Sequence, residues 1–479
     1  MNFLFKEKRN LTAVIQSKQP VGRWEQLRLA VSLSIPAIVA QISAIVMQYI
    51  DASMVGSLGA LPAASIGLVT TSTWIFFGLV SACSVGFSVQ VAHLLGAGNA
   101  KGARDVLRQA LIAALFYSIA LASIGVAISW ELPVWLGGQP DIRHNASLYF
   151  LITVAAMPLF QFSYLAAGML RSSGNLVFPG IVGTLMCILD VGFNFFLIFP
   201  TREVHLGYHV FTMPGFGFGV WGAALGTSLA EGVGAAIMLV KLLCFSKEMK
   251  LVGEKGSYRP KKSIMKRAFH IGFPLGIERF LTSGAQVMIT IIVAPLGAAS
   301  IAANAFAVIA ESICYMPGYG IGDATTTLVG QSIGAGRKKL TRQFAWTSTW
   351  LGMVVMTVLG GVMYGIAPWM MEIMTPDKEI IDLGVVALRT EAWAEPMYAA
   401  SIVAYGAFVG AGDTLIPSFM NLGSMWGIRV VLAALLAPVL GLHGVWIAMA
   451  IELTFRGIIF LIRLKSNAWM LRINKLQSL

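Results

Sequence analysis

The chain has 479 residues, of which 57% are hydrophobic and only 12% are charged, and its mean hydropathy is +0.76. Soluble domains carry about twice that share of charged residues, so the composition excludes an ordinary soluble enzyme. A helix that crosses a membrane needs about 20 mostly apolar residues. The sequence holds about twelve apolar stretches of this kind, separated by short polar segments. We therefore predict an all-α polytopic membrane protein with twelve transmembrane helices.

The net charge is +12, and the basic residues behind it are concentrated in the segments predicted to lie on one side of the membrane. Of the 34 lysines and arginines, 28 lie in the two terminal segments and in alternate loops, whereas the remaining loops hold only Arg143, Arg202 and Lys378. Cytoplasmic loops carry such an excess of basic residues, so both termini are predicted to be cytoplasmic. The basic charge is thus a topology signal, and we expect no nucleic-acid partner.

Several functional classes find no support in the sequence. Residues 1–28 lack the apolar core and cleavage site of a signal peptide. The cysteines (Cys83, Cys187, Cys244 and Cys314) match neither a disulfide framework nor a metal-ligand spacing, so we expect no metal or other cofactor. No GxxxxGK[ST] motif and no catalytic constellation occur, which argues against ATP hydrolysis and against an enzyme.

The sequence repeats itself at a constant offset of 238 residues. Pro36 recurs as Pro274, Gln48 as Gln286, and Gly174 as Gly412. Further on, the tripeptide at 219–221 is expected to match the one at 444–446 at an offset of 225, because the first half has a longer loop near 200–214. Six helices in each copy make a parallel repeat, and transporters built this way rock two lobes about a site between them.

This repeat predicts five segments. They are a cytoplasmic N-terminal segment (1–28), an N-lobe with helices one to six (29–240), a basic cytoplasmic linker (241–267), a C-lobe with helices seven to twelve (268–465), and a cytoplasmic C-terminal tail (466–479).

Ionisable groups inside the membrane are costly, so each needs a partner or a function. In the first half, Asp190 and Asn194 are four residues apart and share one face of a helix, and Thr227 lies at mid-membrane depth. Gln48 and Asp51 belong to a polar stripe on the first helix, although an interfacial aspartate is the alternative for Asp51. Two carboxylates with amide and hydroxyl oxygens suit a proton or Na⁺, so Asp51, Asp190, Asn194 and Thr227 are predicted to form a cation-coupling site. Gln48, on the same stripe as Asp51, is a candidate to line the substrate cavity.

The second half has its own acidic residues. Glu452 and Arg456 are four apart and are predicted to form a structural ion pair. Glu278 beside Arg279, and Arg389 near Glu391, are expected to neutralise each other across helices.

Glu311 and Glu395 have no charged neighbour in sequence and could line a central cavity, with a structural role as the open alternative. With Glu278 they are the second-half candidates for substrate contact.

Several motifs together resemble the MATE family of multidrug and toxic-compound extrusion transporters, in a DinF-like or NorM-like bacterial branch and closer to the DinF-like one, over about residues 30–465. They include IPAIVAQISAIVMQYIDASMVGSLGALPAAS, HLLGAGNAKGA, RSSGNLVFPG followed by ILDVGFNFFLIF, TTTLVGQSIGAG, VGAGDTLIPS and GVWIAMAIELTFRGI. The resemblance implies two six-helix lobes in a bacterial inner membrane and efflux of organic, often cationic, compounds against a Na⁺ or H⁺ gradient.

The resemblance also implies roles for particular residues. Asp51 matches the first-helix aspartate of the N-lobe cation site, Asp190 the fifth-helix acid, Thr227 the sixth-helix hydroxyl, and Tyr149 a fourth-helix tyrosine. Met186 stands where the family often has asparagine, four residues before Asp190, and Asn194 is the expected substitute.

We therefore predict a monomeric secondary antiporter whose partners are small drugs or toxins and membrane lipids. A flippase of lipid-linked precursors is the alternative, kept open by Arg279, Arg389 and Arg429 inside spans, and would need a strongly cationic cavity.

Overall fold

A computed structural model describes residues 11–17, 19–206, 209–466 and 468–470. The helices, in chain order, are α1 (Leu11–Gln16), α2 (Arg23–Gly56), α3 (Ala60–Gly96), α4 (Ala100–Ile128), α5 (Leu132–Trp135), α6 (Pro140–Ala155), α7 (Met157–Ser172), α8 (Val177–Leu197), α9 (Val220–Val240), α10 (Lys262–Val293), α11 (Ala298–Gly334), α12 (Lys338–Met374), α13 (Lys378–Ala392), α14 (Glu395–Ala411), α15 (Leu415–Ser424) and α16 (Val431–Lys465). Short π-helical turns extend α9 through Lys241–Phe245 and join α15 to α16 through Met425–Val430, and a 3₁₀ turn follows α10 at Ala294–Leu296.

Twelve passes follow from these elements. Within the described chain, nine helical stretches are long and apolar enough to cross a membrane, and α6 with α7, bent by 46°, makes a tenth. The stretch Leu415–Lys465 holds two passes, because its backbone leaves helical geometry at Gly441. The pair α13 and α14 lies 238 residues after α6 and α7 and completes the twelve. The predicted twelve-helix, two-lobe fold is confirmed.

The bundle has two ends, which we name by their contents. The terminal face carries α1, the turns at 97–99, 173–176, 335–337 and 412–414, and residues 246–261. The hairpin face carries two antiparallel strands, β1 (Pro200–Leu206) and β2 (His209–Phe216). This hairpin is a local addition to the α-helical fold, in a loop where β-branched and aromatic residues favour paired strands.

The repeat is visible in the backbone as well as in the sequence. Three pairs of glycines at the offset of 238 have positive φ angles of nearly equal size: Gly59 and Gly297 (119° and 98°), Gly98 and Gly336 (76° and 70°), and Gly174 and Gly412 (83° and 79°). Side chains with a Cβ rarely adopt this conformation, so the turns between helices require glycine in both copies.

After the hairpin the register of the repeat differs from the prediction. Gly219 and Gly441 share an unusual backbone conformation (φ 59° in both). Gly222 packs against the Leu197 carbonyl of α8, and Gly444 packs against the Leu436 carbonyl, which lies before the break in α16. Both pairs are 222 residues apart, so the expected offset of 225 from the shared tripeptide is wrong. The backbone geometry requires glycine at all four of these positions, so the glycines define the register of the repeat. The shared Gly-Val-Trp tripeptide lies one helical turn away from that register in the second half.

The lobes meet across a pseudo-twofold axis near the terminal face. A Cβ on Gly96 would lie 2.0 Å from the Gln331 carbonyl oxygen, and one on Gly334 would lie 1.9 Å from the His93 carbonyl oxygen. The side chains repeat this reciprocity: a His93 ring nitrogen lies 2.8 Å from the Gly410 carbonyl oxygen, and the Gln331 amide donates to the Ser172 carbonyl at 2.7 Å. Helices α3 and α11 therefore cross backbone to backbone.

The basic linker packs along α4. The guanidinium of Arg108, only 2% exposed, donates to Asp105 at 2.9 Å and to the Glu254 carbonyl at 3.0 Å. The Lys261 backbone N–H donates to Gln109 at 2.7 Å. A Cβ on Gly256 would fall 1.9 Å from the Arg108 guanidinium, so the linker lies tightly against the N-lobe.

Candidate functional site

The N-lobe encloses a carboxylate cluster formed by α2 and α8. The amide of Asn194 donates to Asp51 at 2.7 Å and to Asp190 at 3.2 Å. Asp190 and Asn194 have no exposed surface, and the two carboxyl groups also interact with each other. The structure thus brings together residues that are far apart in sequence, as a coupling site requires; their role in coupling stays a prediction.

This cluster is electrostatically incomplete. Among the described residues, one oxygen of Asp190 and the amide oxygen of Asn194 are buried without a hydrogen-bond partner. The Thr227 hydroxyl approaches Asp190 from α9 while donating to the Ala223 carbonyl at 3.1 Å. A buried polar atom without a partner costs free energy unless a ligand satisfies it. These oxygens could hold a proton or a small hard cation.

Two further predicted residues lie beside the cluster. Tyr149 on α6 lies within electrostatic reach of both aspartates and packs in an apolar cluster that includes Val55 and Val220. Gln48 is exposed one turn before Asp51 on α2. Tyr149 therefore forms part of the wall of the site, and Gln48 is left accessible.

A small residue on α9 makes room for Asn194. A Cβ on Gly226 would lie 1.9 Å from the Asn194 amide oxygen. The neighbouring sequence held no signal for this requirement, because the contact joins two helices and Gly226 is one of 50 glycines.

The C-lobe holds a second cluster of acids, which differs from the prediction. Glu311 on α11, Glu391 on α13 and Glu395 on α14 are 7%, 1% and 0% exposed, and their carboxyl groups interact with one another. In the described chain, both oxygens of Glu391 and of Glu395 are buried without a hydrogen-bond partner. Glu311 and Glu395 thus lie inside the lobe, and their part in substrate contact stays a prediction.

Glu391 was not predicted as a site residue, because Arg389 is its neighbour in sequence. Residues two apart on a helix point to different sides. The Arg389 guanidinium donates to the Tyr364 carbonyl at 3.2 Å and stacks on the Tyr364 ring, with 5.2 Å to the ring centroid. Glu391 therefore faces the lobe interior without this arginine, and the expected neutralisation is wrong.

Glu278 is buried and accepts three hydrogen bonds. Its carboxylate accepts from the hydroxyls of Tyr405 and Ser418 and, at 2.7 Å, from the amide of Asn421. Only 8% of the residue is exposed, whereas the adjacent Arg279 is exposed. The carboxylate therefore joins α10 to α14 and α15, and its part in substrate contact stays a prediction.

The predicted ion pair of Glu452 is part of a larger network. Glu452 contacts Arg456 at 3.0 Å, Arg429 at 2.8 Å and the Ser424 hydroxyl at 2.7 Å, and it has no exposed surface. Every charge here has a partner, which distinguishes this network from the two unpartnered clusters.

No group of three or more histidine, cysteine or acidic residues in the described chain has the arrangement of a metal site. The C-lobe glutamates interact with one another in an apolar interior, where ionisation of neighbouring carboxylates is unfavourable.

Two lobes related by a parallel repeat, each with unpaired buried carboxylates, define the architecture of a secondary transporter. A family model described as MatE matches residues 36–196 and again residues 274–435, one copy in each lobe. The chain belongs to the MatE family.

Relatives and solved structures agree over nearly the whole length. The chain is 27% identical over 444 residues to the probable multidrug resistance protein NorM of Thermotoga maritima, covering 92% of each chain. The NorM protein of Idiomarina loihiensis is 24% identical over 441 residues, covering 90% of this chain and 92% of the relative. A MOP superfamily transporter from Pyrococcus furiosus has a TM-score of 0.85 at 20% identity, covering 98% of this chain and 99% of that chain.

A point mutant of the Vibrio cholerae MATE transporter VcmN has a TM-score of 0.84 at 17% identity, covering 92% of this chain and 97% of that chain. At these identities the structural likeness shows the fold.

The first prediction concerns the space for Asn194. Gly226→Ala forces a methyl group against the Asn194 amide oxygen, so we expect a loss of stability of about 1–3 kcal/mol and impaired transport. Gly192→Ala on α8 is the matched control, because a Cβ there meets nothing within 4 Å. Thermal unfolding in detergent and transport in liposomes measure both effects. Equal behaviour of the two variants would show that the contact is not needed.

The second prediction concerns the Glu452 network. Glu452→Gln leaves Arg429 and Arg456 without their counter-charge, and breaking a buried pair in this way costs about 3–5 kcal/mol. Glu372→Gln, at an exposed acid, is expected to leave the unfolding temperature unchanged. Fluorescence-detected thermal unfolding of both variants tests this, and a wild-type unfolding temperature for Glu452→Gln would contradict it.

Proposed function

We propose that this protein is a multidrug efflux antiporter that exports small organic compounds in exchange for Na⁺ or H⁺. The observation that carries the proposal is the incompletely satisfied cluster of half-buried Asp51 with buried Asp190 and Asn194 inside one lobe of a MatE fold. Relatives over nearly the full length are named as probable multidrug resistance proteins. The proposal assigns transport and no chemical step to the chain.

The membrane orientation follows from charge. The terminal face carries the basic loops, including the lysines and arginines of residues 241–267, so we place it in the cytoplasm of a bacterial inner membrane. The contacts of Gly96, His93, Gly334 and Gln331 hold the lobes together at this face. The described conformation is thus closed on the side assigned to the cytoplasm.

The N-lobe cluster can link ion binding to helix position. Without a cation, the negative charges of Asp51 and Asp190 repel one another across the gap between α2 and α8. The Asn194 amide, which donates a hydrogen bond to each carboxylate, offsets only part of this repulsion. A proton or Na⁺ removes that repulsion, so the two helices can approach. Pro36 lies inside α2 and removes a backbone hydrogen bond there. A Cβ on Gly180 of α8 would lie 2.7 Å from the Pro36 carbonyl, so motion of either helix is passed to the other.

The C-lobe cluster offers a second place for protons. Glu311, Glu391 and Glu395 come from three different helices. Glu395 is the first residue of α14, just after the end of α13. A change in their protonation would alter how these helices pack, and so contribute to coupling from the other lobe.

The positions of the three arginines within the spans argue against the lipid-flippase alternative. Arg429 is buried against Glu452, and Arg389 is bound to Tyr364. Arg279 is exposed, but one arginine does not make the strongly cationic cavity that an anionic lipid headgroup would need.

The third prediction tests coupling at the N-lobe. Asp51→Asn and Asp190→Asn each remove a carboxylate that binds the cation, so gradient-driven ethidium efflux is expected to fall below about one tenth of the wild-type rate, the effect of roughly 1.4 kcal/mol. Transport would be followed in proteoliposomes with pH and Na⁺ gradients imposed separately, which also identifies the ion. Asp141→Asn, at an exposed acid on the hairpin face, is the control.

Full efflux by a folded, inserted Asp51→Asn protein with unchanged ion dependence would refute this coupling site. No movement of cationic dyes by the wild-type protein under either gradient would contradict the proposed substrate class.

The fourth prediction separates the C-lobe cluster from the N-lobe site. Glu391→Gln removes one proton-binding group, so efflux driven by a pH gradient is expected to fall about tenfold or more, again roughly 1.4 kcal/mol. Glu372→Gln serves as the control for loss of an acidic side chain. Because the buried carboxylates are unpartnered, we expect Glu391→Gln to unfold at the wild-type temperature or above. Undiminished proton-driven efflux would show that the cluster takes no part in coupling.

A further inference from the structure

The short helix α1 lies between the two lobes at the terminal face, although it precedes the first transmembrane helix in sequence. On the N-lobe side, the Gln16 side chain donates to the Leu95 carbonyl at 2.8 Å, and Leu11 lies 3.4 Å from the position of a Cβ on Gly174. On the C-lobe side, the Thr12 hydroxyl donates to Gln331 at 3.3 Å. This six-residue helix thus contacts both lobes.

A C-lobe arginine holds the end of this helix. The Arg337 guanidinium donates to the Val14 carbonyl at 3.3 Å, the Ile15 carbonyl at 3.1 Å and the Gln19 carbonyl at 2.5 Å. The last carbonyls of a helix have no partner within it and carry partial negative charge, so a cation there is favourable. The segment that contains α1 is covalently joined to the N-lobe. Arg337 therefore holds this segment against the C-lobe.

Apolar packing supports the polar contacts. Leu11 and Ile15 are 5% and 0% exposed, and they belong to one apolar cluster with residues of both lobes. The members include Ala30, Leu33 and Leu176 from the N-lobe and Ala324, Leu328, Leu340 and Phe344 from the C-lobe.

The repeat gives this segment a counterpart. Residues 249–254 lie 238 positions after residues 11–16 and belong to the linker before α10. Met249 and Leu251 pack in an apolar cluster with Val106 and Leu107 of α4, as Leu11 and Ile15 do with residues of α12. Each lobe is thus preceded by a segment that packs on the opposite lobe. The linker has to run from one lobe to the other because it connects them. The connectivity of the chain does not require α1 to contact the C-lobe.

The helix also breaks the symmetry of the lobe interface. Gln331 and His93 are equivalent residues, and each contacts a carbonyl of the other lobe. The side-chain oxygen of Gln331 accepts from Thr12, whereas the second ring nitrogen of His93 is buried and unpartnered among the described residues. The contact that α1 makes is therefore additional to those of the repeated scaffold.

We propose that α1 is a latch that stabilises the conformation closed at the terminal face and must release the C-lobe before that face opens. The inference rests on alternating access in the proposed function, but it concerns the conformational equilibrium and not the exported compound. Inward opening separates the ends of the lobes, so the bonds from Arg337 and Thr12 to opposite partners have to break. The latch thereby sets how often the protein opens inward.

The test measures the distance between the lobes. Spin labels at Lys101→Cys and Lys339→Cys, two exposed positions 238 residues apart, report on the terminal face in a full chain whose four native cysteines are replaced. Arg337→Gln and Thr12→Val each remove hydrogen bonds of the latch. We expect each to raise the ratio of open to closed populations roughly two- to tenfold, as the loss of a net hydrogen bond predicts. Lys338→Gln removes the adjacent, exposed positive charge and is expected to leave the distance distribution unchanged.

Electron–electron distance distributions in lipid nanodiscs decide between the outcomes. An unchanged distribution in both Arg337→Gln and Thr12→Val would overturn the proposal, including the case in which only the unfolding temperature falls. An equal shift in Lys338→Gln would assign the effect to surface charge and overturn it as well. Because the measurement needs no transported compound, an inactive transport assay would count against the proposed function and leave the latch to be judged on the distances.

Discussion

The cost of placing charge in an apolar membrane interior divides the buried acids of the described chain into two kinds: those satisfied by neighbouring side chains and those with oxygens that lack a partner. Glu452 and Glu278 are buried and fully satisfied, by two arginines and a serine in one case and by three neutral donors in the other. Asp190 and Glu391 are equally buried, yet oxygens of both lack partners in the described chain. An unsatisfied buried carboxylate is costly, so Asp190 and Glu391 are the predicted positions for a bound ion.

The backbone scaffold repeats in the two halves of the chain, whereas the buried acidic residues do not. Glycine turns, the broken helix pairs and the crossing of α3 with α11 recur at one offset in both halves. The acids do not: Asp51 and Asp190 correspond to Ile289 and Ile428, while Glu311 and Glu391 correspond to Thr73 and Thr153. Backbone geometry is needed twice because both lobes have the same shape. A carboxylate is needed only where it acts, so each lobe has a cluster built from different helices.

The sequence was sufficient for the features that depend on local patterns. Twelve apolar stretches, a constant offset and the four-residue spacing of Asp190 and Asn194 each depend on residues close together or on composition. The C-lobe cluster could not be found this way, because Glu311, Glu391 and Glu395 meet only after three helices pack. Proximity in sequence was misleading for Arg389 and Glu391, since their side chains leave the helix in different directions.

Close backbone contact at the lobe interface also constrains how the protein can move. At Gly96 and Gly334 the helices approach so closely that a methyl group would overlap a carbonyl oxygen. Such an interface cannot widen gradually, because the His93 and Gln331 hydrogen bonds span the same contact and are lost when the helices part. Opening is therefore expected to pass between two discrete arrangements. Contacts that exist in only one of them, such as those proposed for α1, change the populations without altering either carboxylate cluster, because only differential stabilisation shifts a two-state equilibrium.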